Sequence, residues 1–368
     1  MTLSTKKALI LLGLCAFFVL VLIFSVSGFY NTNVEGSEYV IQIEHFSGIS
    51  DRDYGTTAWR GSKPLYPTLA IPLALVFGAA NALLILNILF FVGMAYCFFR
   101  LLLRLSFNTR FALIGSVWLI TGYPLLKYGL SLGTDIGGWF FAVAAALLGV
   151  IGIQDNKLKF LLGSSALGFL GFISKETGIL GLGFAGFYLL AHYNTSLFSW
   201  KKFFALAVPF AVLEVIFSII LTFKHIPNFF TWFFANQKGS AIADQTFRQF
   251  IFTEAASLHI LFVFAALGFI FAFLSRDIVR ASWLRMYIPL LLASAPVLAW
   301  PFFITRVLYI QFLFFIPISL YALLKIEEIT PRSFSKPVSF ILKVLPVAVS
   351  IILFLLANSR SLFEVFHV

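Results

Sequence analysis

The chain has 368 residues, 61% hydrophobic and only 11% charged, with a net charge of +11 and a mean hydropathy of +0.99. Soluble domains carry about 25% charged and about 45–50% apolar residues, so no water-soluble core could hide this surface and lipid must cover it. The positive charge is spread over short loops without a nucleic-acid-binding pattern, which points to membrane orientation and anionic lipid and excludes a nucleic-acid partner.

The first apolar block, Ala8 to Gly28, follows Lys6 and Lys7. Ser25-Val26-Ser27 loosely resembles a signal cleavage site. However, a run of about 20 residues exceeds the roughly 7–15 of a signal core and suits a bilayer crossing. The sequence therefore predicts a retained anchor. Residues 29–78 follow as an extracytoplasmic loop carrying Glu35, Glu38, Glu44, Asp51 and Asp53. Its apolar end, Leu65 to Gly78, has Pro64, Pro67 and Pro72 in or beside it. Such a density of proline disfavours a straight spanning helix and predicts a surface-lying segment.

Ten more apolar blocks follow, near 79–101, 111–128, 135–153, 160–174, 176–193, 203–222, 258–275, 286–303, 307–325 and 339–357. With the anchor they predict an all-α, polytopic membrane protein of about eleven transmembrane helices, forming one integral membrane domain over residues 1–368. The run 160–191 is broken only by Lys175-Glu176. As one helix it would span about 48 Å, too long for a core of about 30 Å, so two short spans are predicted. Residues 223–258 form a second extracytoplasmic segment able to lie on the membrane and cover a site. Gly129, Gly133 and Gly137 straddle a predicted turn and read as backbone flexibility. Cys15 and Cys97 fall inside apolar blocks and read as small buried hydrophobes.

With the N-terminus in the cytoplasm, 16 of the 26 Lys and Arg residues fall at cytoplasmic helix ends, the positive-inside signature. Ten of the 15 acids, including Asp135 and Glu176, then face outward or sit at the outer rim. Glu214 alone is placed deep, midway along the seventh crossing. A carboxylate cluster at the outer surface suits general-base work on a hydroxyl, and an acidic solvated loop is the competing reading. No phosphate-binding loop, dinucleotide fingerprint, HExxH or nucleophile elbow occurs, and the five histidines lack metal-ligand spacing. The reading therefore includes no metal and no cofactor, although nothing in the loop acids forbids a divalent ion.

At the first loop, Glu35-Gly36-Ser37-Glu38-Tyr39 is followed by Arg60-Gly61-Ser62-Lys63-Pro64-Leu65-Tyr66-Pro67, Phe77-Gly78 and Ala82-Leu83-Leu84-Ile85-Leu86-Asn87. Further on stand Thr134-Asp135, Ser174-Lys175-Glu176-Thr177-Gly178 and Arg306-Val307-Leu308. This series resembles the membrane glycosyltransferases of the GT-C superfamily, which use polyprenyl-phosphate-linked sugars. The resemblance implies inverting transfer of a sugar to an acceptor hydroxyl on the extracytoplasmic side of a bacterial cytoplasmic membrane. Bilayer lipid and the lipid-linked sugar would be its partners, the acceptor being unidentified.

Glu35 stands where that family usually has Asp. It is the expected base, with Glu38, Asp51 or Asp53 as substitutes and Asp135 as a supporting polar group. Lys63 and Arg306 would hold the phosphate, with Arg60 and Lys175 as further candidates. For Lys175 an ion pair with adjacent Glu176 is the ordinary alternative. Tyr39 and Tyr66 could stack on a sugar, or belong to the interfacial aromatic belt. One carboxylate suffices for such a transfer because phosphate leaves as an anion, unlike the two-carboxylate arrangement of glycoside hydrolysis. The alternative function is an inactive GT-C-like structural subunit of a larger membrane complex, which the Glu-for-Asp change would explain.

Overall fold

The computed structural model describes residues 3–28, 34–52, 61–227, 258–274, 287–293, 309–330 and 332–365, excepting the side chains of 34–35, 309, 332–336 and 359–365. The described chain is helical: α1 (Thr5–Ser27), α2 (Val34–Phe46), α3 (Leu65–Phe77), α4 (Ala79–Arg104), α5 (Thr109–Ile120) and α6 (Asp135–Gln154). Then come α7 (Leu158–Phe172), α8 (Leu180–Ala191), α9 (Trp200–Phe223), α10 (Ile260–Leu274), α11 (Phe312–Ile329) and α12 (Arg332–Val365). No strand occurs among the described residues.

Among the described residues, five segments are long and apolar enough to cross a bilayer: α1, α4, α6, α9 and Pro337–Asn358 within α12. The protein is an integral membrane protein. Shorter apolar helices lie among these five, and part of the predicted set of about eleven falls outside the described residues. The fifth block, expected over 160–174, is the 15-residue α7. The expected 111–128 divides into 12-residue α5 and a π-helical turn, Leu125–Gly129. Short helices are viable in a membrane only where neighbours satisfy the backbone at their ends, and both of these end inside the bundle. The run 160–191 does break into two helices, with Ile173, Ser174 and Lys175 between α7 and the 3-10 turn Glu176–Ile179. Most of predicted span 286–303 and of segment 223–258 lies outside the described residues.

Helix α6 is the centre, with 16 buried positions and α4, α7 and α8 packed around it. Its Gly and Ala content lets those neighbours approach closely, as expected where van der Waals packing rather than the hydrophobic effect joins helices. The 20 residues of α6 span about 30 Å, and two polar clusters occupy its ends. At its C-terminal end Arg104 pairs with Asp155 at 2.7 Å, and Lys202 donates to the Ile153 carbonyl at 3.1 Å. The Arg104 guanidinium, through its hydrogen bonds, holds the Asp155 carboxyl below its usual range.

Farther around this end, Glu327 sits 3.8 Å from Arg110 and also pairs with Lys343. The N-terminus of α1 lies here too, because its C-terminus runs directly to α2 at the other end. Among the described residues, the basic side chains Arg104, Arg110, Lys202 and Lys343 thus come together at one end of the bundle. Asp135 opens α6 at the opposite end.

Candidate active site

The opposite end is built from four pieces of chain that meet above α6. Helix α2 lies across the loop before α6. Gly36 makes that possible: a Cβ there would fall 1.7 Å from the carbonyl oxygen of Leu132. Two residues after Ser37, Tyr39 faces inward and is fully buried. The Glu-Gly-x-x-Tyr spacing is therefore a docking element, with a bare backbone contact followed by a buried ring one turn later.

Helix α3 packs on α2 and α4, burying Tyr66, Pro67, Ala70 and Ala74 while leaving Leu75, Val76 and Phe77 exposed. The Tyr66 hydroxyl donates to Asn87 Oδ1 on α4, and Asn87 Nδ2 donates to the Ser131 carbonyl at 2.8 Å. These bonds lock the loop segment, α4 and the approach to α6 together. Gly137 supplies room for the Tyr66 ring, which a Cβ there would meet at 2.0 Å. The expected flexibility of the glycine series is corrected here, since Gly137 lies inside α6 and serves close packing. Tyr66 is likewise part of this packing, not a ring presented to a sugar or to the interface. Asn87→Leu is expected to cost about 1–3 kcal/mol, the penalty of stranding buried polar groups. Denaturant unfolding in detergent checks it, and unchanged stability would mean that water replaces these bonds.

Four ionisable side chains are buried side by side at this level: Lys63 (2% exposed), Asp135 (5%), Lys175 (7%) and Glu176 (7%). Lys63 Nζ lies 3.4 Å from Glu176 Oε2, donates to the Phe172 carbonyl at 2.8 Å, and sits 4.5 Å over the Phe172 ring. Lys175 Nζ lies 3.4 Å from Asp135 Oδ1. The alternative Lys175–Glu176 pair is not among the ion pairs of the described residues. Lys175 is extended (φ −154°, ψ 133°), and successive side chains of extended backbone point to opposite sides. Each therefore finds a partner on another element.

Burial pushes the Lys63 ammonium below its ordinary value; the Glu176 carboxylate opposes that shift strongly, and Glu214 more weakly. Around the cluster, the hydroxyls of Thr134, Ser174 and Thr177 are buried with no hydrogen-bond partner among the described residues. Ionisable groups at membrane depth are costly and mark functional sites or paired structural networks.

Of the predicted residues, the structure thus brings together Lys63, Lys175 and Asp135, with Tyr39 and Tyr66 packed beside them. Glu38 is half-buried on α2, and Asp51 is exposed beyond the end of α2. Asp53, Arg60 and Arg306 lie outside the described residues, as does the side chain of Glu35. Glu176 and Asn87 were underrated by sequence reasoning. Each stood in a motif already singled out, yet neither carried a role. Among the described residues, no three His, Cys, Asp or Glu side chains converge on a metal-sized site.

No protein-family model matches this chain, and no curated protein sequence does. Among solved structures, the crystal structure of ArnT from Cupriavidus metallidurans bound to undecaprenyl phosphate is similar, with a TM-score of 0.57 and 14% identity. The likeness covers 94% of this chain and 72% of that one. The chain therefore shares the fold of that membrane protein.

Proposed function

We propose that this protein transfers a sugar from a polyprenyl-phosphate donor to an acceptor hydroxyl, with inversion, at the end of the bundle holding Lys63 and Asp135. The N-terminus would be cytoplasmic and the site extracytoplasmic, as the positive-inside distribution suggests. The observation that carries this reading is the pair of buried lysines, each 3.4 Å from a buried acid, on a fold shared with a protein crystallised on undecaprenyl phosphate. In the reaction, the acceptor oxygen forms a bond to the sugar's anomeric carbon while the bond from that carbon to the phosphate oxygen breaks. The acceptor proton passes to a carboxylate, for which Glu35 at the start of α2 is our assignment. The phosphate departs as an anion and needs cations as its charge grows. Lys63 and Lys175 supply these as point charges, and Arg60 and Arg306 would complete the set. Asp135 and Glu176 hold the lysines in place until the phosphate arrives.

One observation favours a second reading, a non-catalytic structural subunit. Each buried lysine is already balanced by an acid, as a packing network would require. Purified protein and radiolabelled undecaprenyl phosphate separate the two. The transferase reading expects saturable binding by wild type and by Glu35→Gln alike. It also expects transfer from a polyprenyl-phosphate sugar, in membranes, by wild type alone. Normal transfer by the Gln variant would refute Glu35 as base. Absence of lipid-phosphate binding, with stoichiometric retention of other membrane proteins, would establish the structural subunit.

A further inference from the structure

Helix α9 carries a polar line that the proposed reaction has not used. Glu214, Ser218 and Thr222 recur at intervals of four on a helix otherwise apolar from Val208 to Phe223. Residues at that spacing lie above one another on one face. Together with Val215, Ile219 and Phe223 they line a groove of about 450 Å³. Val215, Ile219 and Phe223 are 59%, 50% and 82% exposed, so the groove opens where acyl chains would lie.

The Ser218 hydroxyl donates to Glu214 Oε1 at 3.0 Å, whereas Glu214 Oε2 is buried with no partner among the described residues. Such an orphaned acceptor asks for a hydrogen-bond donor. Glu214, at one end of the groove, also lies near the site, close enough to act electrostatically on Lys63. Phe210, one turn before Glu214, packs on the Phe172 ring at 6.0 Å between centroids, and Lys63 stands over that same ring. Phe217, on the same stripe, packs on Phe169 of α7 at 6.0 Å. Glu214 therefore lies between two rings that face α7, at the level of the lysine cluster. The remaining nine residues of α9 rise about 14 Å beyond it.

We infer that this groove is the acceptor's way in, and that the acceptor is an amphiphilic alcohol. Its chain lies along Val215, Ile219 and Phe223, and its hydroxyl group hydrogen-bonds Glu214. An alcohol fits because it can donate to a carboxylate and accept from a carboxylic acid, satisfying the orphaned oxygen in either state. An anionic headgroup fits badly beside a carboxylate that forms no ion pair among the described residues. The donor phosphate belongs at Lys63, and Glu214, across the Phe172 ring, is the acceptor hydroxyl's contact on its way to the assigned base Glu35. That the bound alcohol is an acceptor rests on the transferase reading; the chemistry of the groove does not.

The test uses the protein in phosphatidylcholine nanodiscs with a sixteen-carbon alcohol bearing a diazirine, and an alkyl phosphate of the same length as control. The alcohol is expected to label the α9 peptide spanning residues 214–223 in wild type. Labelling should drop about fivefold or more in Glu214→Leu, as loss of a hydrogen bond to a charged group implies, and persist in Glu214→Gln. Thermal melts of both variants identify any general unfolding, in which case the Gln variant and the alkyl phosphate control decide. Equal labelling of α9 by alcohol and alkyl phosphate, or Leu-variant labelling equal to wild type, overturns the inference. Specific labelling in a protein that binds no undecaprenyl phosphate would sink the transferase reading and with it the acceptor role. Efficient transfer with labelling indifferent to Glu214 would sink the groove alone.

Discussion

Gly36→Ala is expected to lower sugar transfer by roughly 100-fold or more while the helical bundle stays assembled. The added Cβ would sit 1.7 Å from the Leu132 carbonyl oxygen, and a backbone atom in the loop leading to α6 has little freedom to retreat. Helix α2 must instead lift by an ångström or more. Glu35 starts that helix beside the substituted residue, so the displacement falls on the assigned base. A misplacement of about 1 Å at a reacting group costs on the order of 10²-fold in rate. The membrane core, by contrast, does not pass through this contact: α6 is held by α4, α7 and α8. Transfer assays in membranes, with thermal melts of purified protein, check both halves. A variant that transfers at the wild-type rate would show that α2 does not position the base. Loss of activity with collapse of the melt would make Gly36 a folding residue only.

How far the sequence announced this arrangement depends on which kind of signal each part leaves. Apolar blocks and alternating basic joints are local patterns, so the helices and the two ends of the bundle were legible. Even the break between α7 and the turn at Glu176 could be read, because a single helix would have been too long for the bilayer. Helix length was less legible, since a 12-residue helix such as α5, backed by its neighbours, leaves the same apolar trace as a full-length crossing. Lys63, Lys175 and Asp135 could be singled out from the motifs that carry the GT-C resemblance and from their expected place at the outer rim. Which lysine meets which acid could not, because the answer turns on Lys175 being extended and on α3 bringing Lys63 to Phe172. Tyr66 was misread for a related reason. An aromatic near a predicted interface looks like belt or sugar platform until Asn87 is found bonded to its hydroxyl. Asp51 shows the converse: it shares a loop with Lys63, yet it is exposed where Lys63 is buried.

The other large effect is expected at Lys63. Removing its charge in Lys63→Met leaves Glu176 buried without its nearest cation. Breaking one side of a buried pair costs about 3–5 kcal/mol, whereas replacing both partners by neutral groups of similar volume is often close to neutral. Lys63→Met should therefore unfold at markedly lower denaturant, and adding Glu176→Gln should recover most of the loss. Equilibrium unfolding of the four proteins of this cycle in one detergent measures the coupling directly. The restored double variant then separates fold from chemistry. If Lys63 holds the leaving phosphate, the stable double variant still fails to bind undecaprenyl phosphate, because stability has returned without the cation. If it binds as wild type does, the Lys63–Glu176 pair is a packing device and the phosphate is held elsewhere. A buried ion pair is a poor way to stabilise a membrane bundle, since apolar side chains would fill the same volume without desolvating two charges. Its presence at the level of Asp135 and Lys175 makes sense when an arriving anion can take over one of the partners.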